Sequence, residues 1–141
     1  GMAYPTAITI VTACVQGAML VGMPEAAINL SEAVILLASA PKSNSAITAF
    51  NRAMEDLKTK KINDIPLHLK DNHYSGAKDL GFGQGYKYPH AFGGYIKQQY
   101  LPDNLYKDGT KYYVPTSNGS EASFKKFLEG LEEKYERNNK G

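Results

Sequence analysis

Residues 3–24 read AYPTAITIVTACVQGAMLVGMP, and none of these twenty-two side chains carries a charge. Ala7, Val11, Cys14, Ala18 and Val21 recur at helical spacing along one face. Gly22 is a C-terminal stop, with Pro24 just beyond it. A helix that is apolar most of the way round has to be buried on several sides. Its length alone is compatible with a membrane span. Thr6, Thr9, Thr12, Gln16, Gly17 and the closing Gly22-Met23-Pro24 weigh against that reading. The stretch is expected to be a core or subunit-interface helix whose neighbours are other segments or other subunits.

Working outward, the first sixty residues read as three helices. Asn29-Leu30-Ser31-Glu32 has capping-box spacing and leads into a second apolar helix through Ala33, Val34, Leu36, Leu37 and Ala40. Ala40-Pro41-Lys42-Ser43 breaks the chain, and Ser43 or Ser45 caps a third helix. In that helix Ile47, Phe50, Met54 and Leu57 form an apolar stripe, while Arg52, Glu55, Asp56 and Lys58 face water. After Lys61 the texture changes. Ile65-Pro66-Leu67-His68-Leu69 is expected to be extended, since Pro66 disfavours helix at the residue before it, and a short helix is expected from Ser75 to Leu80. Tyr95–Leu101 and Lys111–Val114 read as short strands around a Lys-Asp-Gly turn. Asn118–Arg137 is a helix with Phe124, Phe127, Leu128, Leu131 and Tyr135 as its buried stripe, Asn118 and Glu121 repeating the capping-box spacing.

Composition bounds the function. The chain has 141 residues and a net charge of +2, enough for one domain with its own core. Any nucleic-acid contact would need a local patch, not a global field. A single cysteine, Cys14, excludes an internal disulfide framework. The cytosol is the expected compartment, since no basic region of a signal peptide precedes the apolar run.

Catalytic signatures are absent. Gly81, Gly83 and Gly85 do not form the GxxxxGK[ST] phosphate loop, and they fit structural turns. His68, His73 and His90 have no metal-ligand spacing, and no metal is expected. His90 is expected to bond a backbone carbonyl within its loop, and His68 to pack at a junction between segments. Cys14 has no base in its helix and reads as a buried, inert thiol. Glu132-Glu133 reads as a solvated face.

The segment GFGQGYKYPHAFGGYIKQQYLP, Gly81–Pro102, is too rich in glycine and proline for a long helix. Its tyrosines offer rigid surfaces with polar tips. Lys78, Lys87, Lys97, Lys107 and Lys111 are interleaved with Tyr86, Tyr88, Tyr95, Tyr100, Tyr112 and Tyr113. Aromatic faces beside lysines hold single strands at about 1–3 kcal/mol per stacked base. The same pattern also fits tyrosines that pack an irregular region and lysines that keep it soluble.

Four stretches resemble the C-terminal region of the RarA/MgsA family of AAA+ ATPases, related to the Werner-helicase-interacting protein. They are VGMPEAAINLSEAVILLASAPKSNSA (Val21–Ala46), IPLHLKD (Ile65–Asp71), LGFGQGYKYPHAFGGYIKQQYLP (Leu80–Pro102) and YYVPTSNGSE (Tyr112–Glu121). They stand in family order and cover most of the chain. Walker A, Walker B and arginine-finger elements are absent, so the chain resembles a C-terminal fragment of a larger ATPase. Family members carry Asp or Asn after the histidine where this chain has Ala91, so a contact made by that side chain does not carry over.

The resemblance implies a mainly helical domain similar to the oligomerisation collar of clamp-loader subunits, with an irregular Tyr/Gly-rich segment, a short β-hairpin and a C-terminal helix. One domain, 1–141, is expected, with a helical part at 1–60, an irregular part at 61–118 and a terminal helix and tail at 119–141. It implies a tetrameric homo-oligomer with no cofactor of its own, ATP and Mg belonging to the ATPase part. The parent is expected to be a DNA-stimulated ATPase at stalled forks, a partner of single-stranded DNA-binding protein, cytoplasmic and nucleoid-associated, with no membrane role. Candidate subunit contacts are Val11, Val15, Met19, Met23, Pro24, Pro41, Lys42 and Asn44. Tyr86, Lys87, Tyr88, His90, Lys97 and Tyr100 are the candidate DNA or partner surface.

Overall fold

A computed structural model describes residues 1–73, 75–77 and 79–139. Its regular structure is helical: α1 (Ala7–Val21), α2 (Ala26–Ser39), α3 (Ser45–Thr59), α4 (Asp103–Lys107) and α5 (Glu121–Asn139), with short 3-10 turns at Leu67–Leu69 and Pro89–Phe92. No strand occurs among the described residues. Chain contacts divide the molecule into two units, residues 1–50 with 113–128 and residues 51–112 with 129–141.

In the first unit α1 and α2 pack together as a helical hairpin. The seam is made of small side chains: Ala7, Cys14 and Ala18 on α1, Ala26 and Ala33 on α2. Small residues let two helix backbones approach closely, yet each buries little apolar area, so the seam alone adds little stability. Gly17 extends the seam, and a Cβ there would lie 2.5 Å from Nδ2 of Asn29. That contact explains a departure from the sequence reading. Helix α2 begins at Ala26, not after Asn29, and Asn29 faces α1 instead of capping. At the end of α1, Gly22 takes φ +73° and its N–H bonds the Ala18 carbonyl, so the expected stop holds.

Glu121 organises the rest of this unit. It opens α5 and is the largest fully buried side chain. Its carboxylate accepts from the Ser45 hydroxyl, from Tyr113 Oη at 2.9 Å and from Thr116 Oγ1 at 2.7 Å. The Ser43 hydroxyl lies 3.0 Å from that of Ser45 and completes the cluster. Burial pushes the Glu121 pKa up, but the Ser43, Ser45, Thr116 and Tyr113 hydroxyls outweigh it and bring it down from 4.5 to about 2. The capping box expected at Asn118 does not form. The Asn118 side chain donates to the Lys42 carbonyl at 3.0 Å, and its N–H bonds Thr116 Oγ1 at 3.2 Å. Ser43, by contrast, does cap α3, accepting from the Ser45 N–H at 3.2 Å. Gly119, at φ +51°, passes so close to the N-terminal segment that a Cβ would sit 2.3 Å from the Ala3 carbonyl oxygen. The neighbouring Ser120 N–H then bonds that oxygen at 2.8 Å.

The second unit is held mostly by side chains that bond backbone. Asn104 in α4 donates to the Lys61 carbonyl and accepts from the Asn63 N–H, both at 3.2 Å. Leu105 is buried beside it in sequence, and Ala77 is fully buried. Asp56 accepts from Tyr112 Oη at 3.0 Å and pairs with Lys60 at 3.0 Å. The Lys60 hydrogen bond is the main reason the Asp56 pKa is lowered. Leu67–Leu69 forms a 3-10 turn where extended chain was expected, because the fixed φ of Pro66 constrains the residue before it and not those after, and the short helix expected at Ser75–Leu80 does not occur among the described residues. The described residues there form turns, with Gly76 at φ +85°. The Lys-Asp-Gly turn is present, with Gly109 at φ +67° immediately after α4.

Of two expected stripes, the one on α3 is exposed and the one on α5 is buried only in part. Ile47, Phe50, Met54 and Leu57 on α3 are exposed, and so are Phe124, Phe127 and Leu128 on α5, while Leu131 and Tyr135 are half-buried. Periodicity identified the apolar sides correctly.

Candidate functional surfaces

The first surface follows from that observation. α1 and α2 keep their alanines inside and their large apolar side chains outside: Met19 is 80% exposed, Leu20 87% and Ile28 74%. Ile8, Val34 and Ile35 join them. Of the candidate subunit contacts, Val15, Met19, Met23 and Pro24 are exposed at the C-terminal half of α1 and in the connection to α2, and Val11 is half-buried. Pro41, Lys42 and Asn44 are exposed in the connection from α2 to α3, where they serve local structure. The Lys42 ammonium donates to the Leu37 carbonyl in the last turn of α2, where a cation suits the negative helix end. The Asn44 carbonyl accepts the Thr48 N–H in the first turn of α3.

The tyrosine surface is built by a residue that sequence reasoning passed over. Gln98 grips Lys87 from both sides, its Oε1 accepting from the Lys87 N–H at 3.1 Å and its Nε2 donating to the Lys87 carbonyl at 2.8 Å. The same Nε2 lies 3.1 Å from Tyr100 Oη. One amide therefore ties the backbone between Tyr86 and Tyr88 to the Tyr100 hydroxyl. Gln99 anchors the other side: its carbonyl lies 2.8 Å from His68 Nε2, and its amide donates to the Leu101 carbonyl at 2.9 Å and to Asp103 at 2.6 Å. Side-chain amides thus do the work that a second strand was expected to do, and no hairpin forms.

Tyr86, Tyr88 and Tyr100 stay exposed. The His90 ring lies 5.1 Å from that of Tyr88, tilted by 49°. Its observed neighbour is thus a ring, whereas the sequence suggested a carbonyl. His68 does sit at a junction between segments, through its contact with Gln99. Lys97 projects over the Tyr135 ring at 5.1 Å. It therefore faces α5. Lys111 pairs with Glu132 at 2.6 Å, and that hydrogen bond lowers the Glu132 pKa. Lys78 lies outside the described residues. Tyr86 also borders an open cleft of about 360 Å³ that includes His68, Lys70, Asp71 and His73. His73 Nδ1 lies 2.6 Å from Asp71 and is the main cause of that carboxyl's lowered pKa. Lys70 pairs with Asp64 and lies 4.9 Å over the Phe82 ring.

Cys14 is buried on α1, as its apolar face implied. No described helix is long and apolar enough to cross a membrane.

The helical hairpin, the Glu121 node and the Gly81–Pro102 segment all fall within a match to the family model for the MgsA AAA+ ATPase C terminal, which spans residues 1–132. The chain belongs to this family. It is 46% identical over 138 residues to replication-associated recombination protein A of Bacillus subtilis, covering 97% of this chain and 31% of that protein. It is 49% identical over 122 residues to an uncharacterized AAA domain-containing protein of Mycobacterium tuberculosis, covering 86% of this chain and 26% of that protein. Replication-associated recombination protein A of Escherichia coli K12 is 33% identical over 135 residues, covering 94% of this chain and 30% of that protein. The chain therefore spans about a third of the length of these relatives or less.

Proposed function

We propose that this domain assembles copies of a parent AAA+ ATPase by homo-oligomerisation, with a tetramer as the expected product, and that it hydrolyses no nucleotide itself. The observation that carries this reading is the inverted hairpin of α1 and α2, in which Met19, Leu20, Ile28, Val34 and Ile35 point out of the fold. Contiguous apolar surface of this kind marks interaction sites. The lack of charge from Ala3 to Pro24 suits an interface that closes against another protein surface. By kinship with the replication-associated recombination proteins, the parent acts on DNA in replication restart and repair, in the cytoplasm, with ATP and Mg held outside this domain. Single-stranded DNA-binding protein is its expected protein partner.

Light scattering on a sizing column tests the assembly. A mass of four chains supports the reading, and a monomer at every accessible concentration overturns it. ATP turnover by the purified chain would refute the non-catalytic part.

A second reading takes the exposed Tyr86, Tyr88 and Tyr100, in a segment where Gln98 ties the Lys87 backbone to the Tyr100 hydroxyl, as an aromatic platform. Such a platform suits stacking of single-stranded or fork DNA. Affinity for a labelled oligothymidine that falls steeply with salt, and falls again in the Tyr86→Ala/Tyr88→Ala double variant, supports it. Indifference to both changes removes it.

A further inference from the structure

Two exposed apolar features of the chain differ in shape and in charge. On α2, Ala27, Ile28, Ser31, Glu32, Ile35 and Leu36 line an open groove of about 630 Å³. On α3, Ile47, Phe50, Met54 and Leu57 form an exposed ridge. At 1.5 Å per residue the groove runs about 14 Å and the ridge about 15 Å. The 3-4-3 spacing of the ridge is that of a helix seated lengthwise against another helix.

The charges complement one another. Residues 1–41 contain two charged side chains, Glu25 and Glu32, and no cation. Glu32 lies within the groove itself. The ridge belongs to a segment with Arg52, Lys58, Lys60 and Lys61 against Glu55 and Asp56, and Lys58 follows Leu57 at the ridge's edge. Pairing α2 with a second α2 would instead bring two glutamates into one apolar contact, which like charges oppose.

We infer that the α2 groove of one chain receives the α3 ridge of a second copy. This inference rests on the homo-oligomerisation reading and specifies its geometry. Made reciprocally between two chains, the contact closes a symmetric pair; made one way, it leaves a groove and a ridge free for further copies.

Complementing variants decide the question. Ile35 is 65% exposed and Phe50 59%, so Ile35→Asp and Phe50→Asp alter a surface and not a core, and circular dichroism checks that each variant stays helical. Val114→Asp, at an exposed position on neither α2 nor α3, serves as control. Each of the two interface variants alone is expected to run as a monomer at concentrations where the unmodified chain associates, the control keeping the parental mass. Mixed in equal amounts, they retain one intact groove and one intact ridge between them, and a species of two-chain mass is expected. As a second measurement, Glu32→Lys weakens association about tenfold, and a chain carrying both Glu32→Lys and Lys58→Glu recovers it.

If the unmodified chain associates but the mixture stays monomeric, or if either single variant keeps the parental mass, the groove-to-ridge contact is wrong while the assembly reading stands. If the unmodified chain never associates, the assembly reading falls first and this contact falls with it.

Discussion

The α1–α2 hairpin and the Glu121 node lie in the same unit and are held in opposite ways. The hairpin has a core of alanines and a rim of large apolar side chains. The node has one carboxylate at its centre and hydroxyls converging on it from Ser45, Tyr113 and Thr116. Cohesion in the hairpin is diffuse, and losing any one exposed apolar residue changes little within the chain. Cohesion in the node is concentrated, because a buried charge whose donors are removed, or donors whose charge is removed, remain desolvated and unpaired. The comparison separates an apolar surface left outside the fold from the polar core that holds this unit together.

The strongest way to sharpen that contrast is Glu121→Ala. It strands the converging hydroxyls in a buried site and is expected to cost roughly 2–4 kcal/mol, read as a lower midpoint in urea. The pH dependence follows in sign. A carboxyl at about 2 in the folded chain and near 4.5 unfolded stabilises the fold fully above pH 4.5. That contribution fades as the pH falls through the window from 4.5 to about 2. Glu121→Gln should flatten the corresponding part of a stability-versus-pH curve.

Next in size is Ala18→Leu in the hairpin seam. Forcing a large side chain between closely approached helices is expected to cost about 1–3 kcal/mol. Leu20→Ala, two residues on but outside the seam, should change the stability of the monomer by less than about 0.5 kcal/mol. If Leu20→Ala proved as damaging as Ala18→Leu in a monomeric chain, the inside-out description of the hairpin would be wrong.

A smaller effect is expected at the tyrosine platform. Gln98→Ala removes both bonds to Lys87, so the Lys87 amide should exchange with solvent distinctly faster while global stability drops by about 1 kcal/mol. Smallest is Lys111→Ala. Its pair with Glu132 is exposed on both sides, and its loss should change the urea midpoint by no more than about 0.5 kcal/mol.

What the sequence revealed follows the range of the forces involved. Gly22 and the helical spacing from Ala7 to Val21 depend on a few adjacent residues, and α1 ends where they indicate. Asn29 looked like a cap because capping-box spacing is local, but Gly17 on the facing helix leaves room for its amide. Glu121 looked like the far end of a second capping box for the same reason. Its real donors include Ser45, which is 76 residues away along the chain. Tyr95–Leu101 has the composition of a strand, yet Gln98 and Gln99 meet backbone needs within their own segment. The paired glutamines amid aromatics were the available signal for the platform. The stripes on α3 and α5 show the remaining limit. Amphipathic spacing marks the apolar side of a helix and carries no information on what packs against it.

The alanine seam has a further use as a clock. Cys14 is the chain's single thiol, and it is buried in that seam. A thiol reagent can reach it only when α1 lifts from α2, so the rate of labelling counts hairpin openings. Assembly over the exposed rim would slow that count without any change at the sulfur. The molecule thus carries its own timer for the opening of this hairpin.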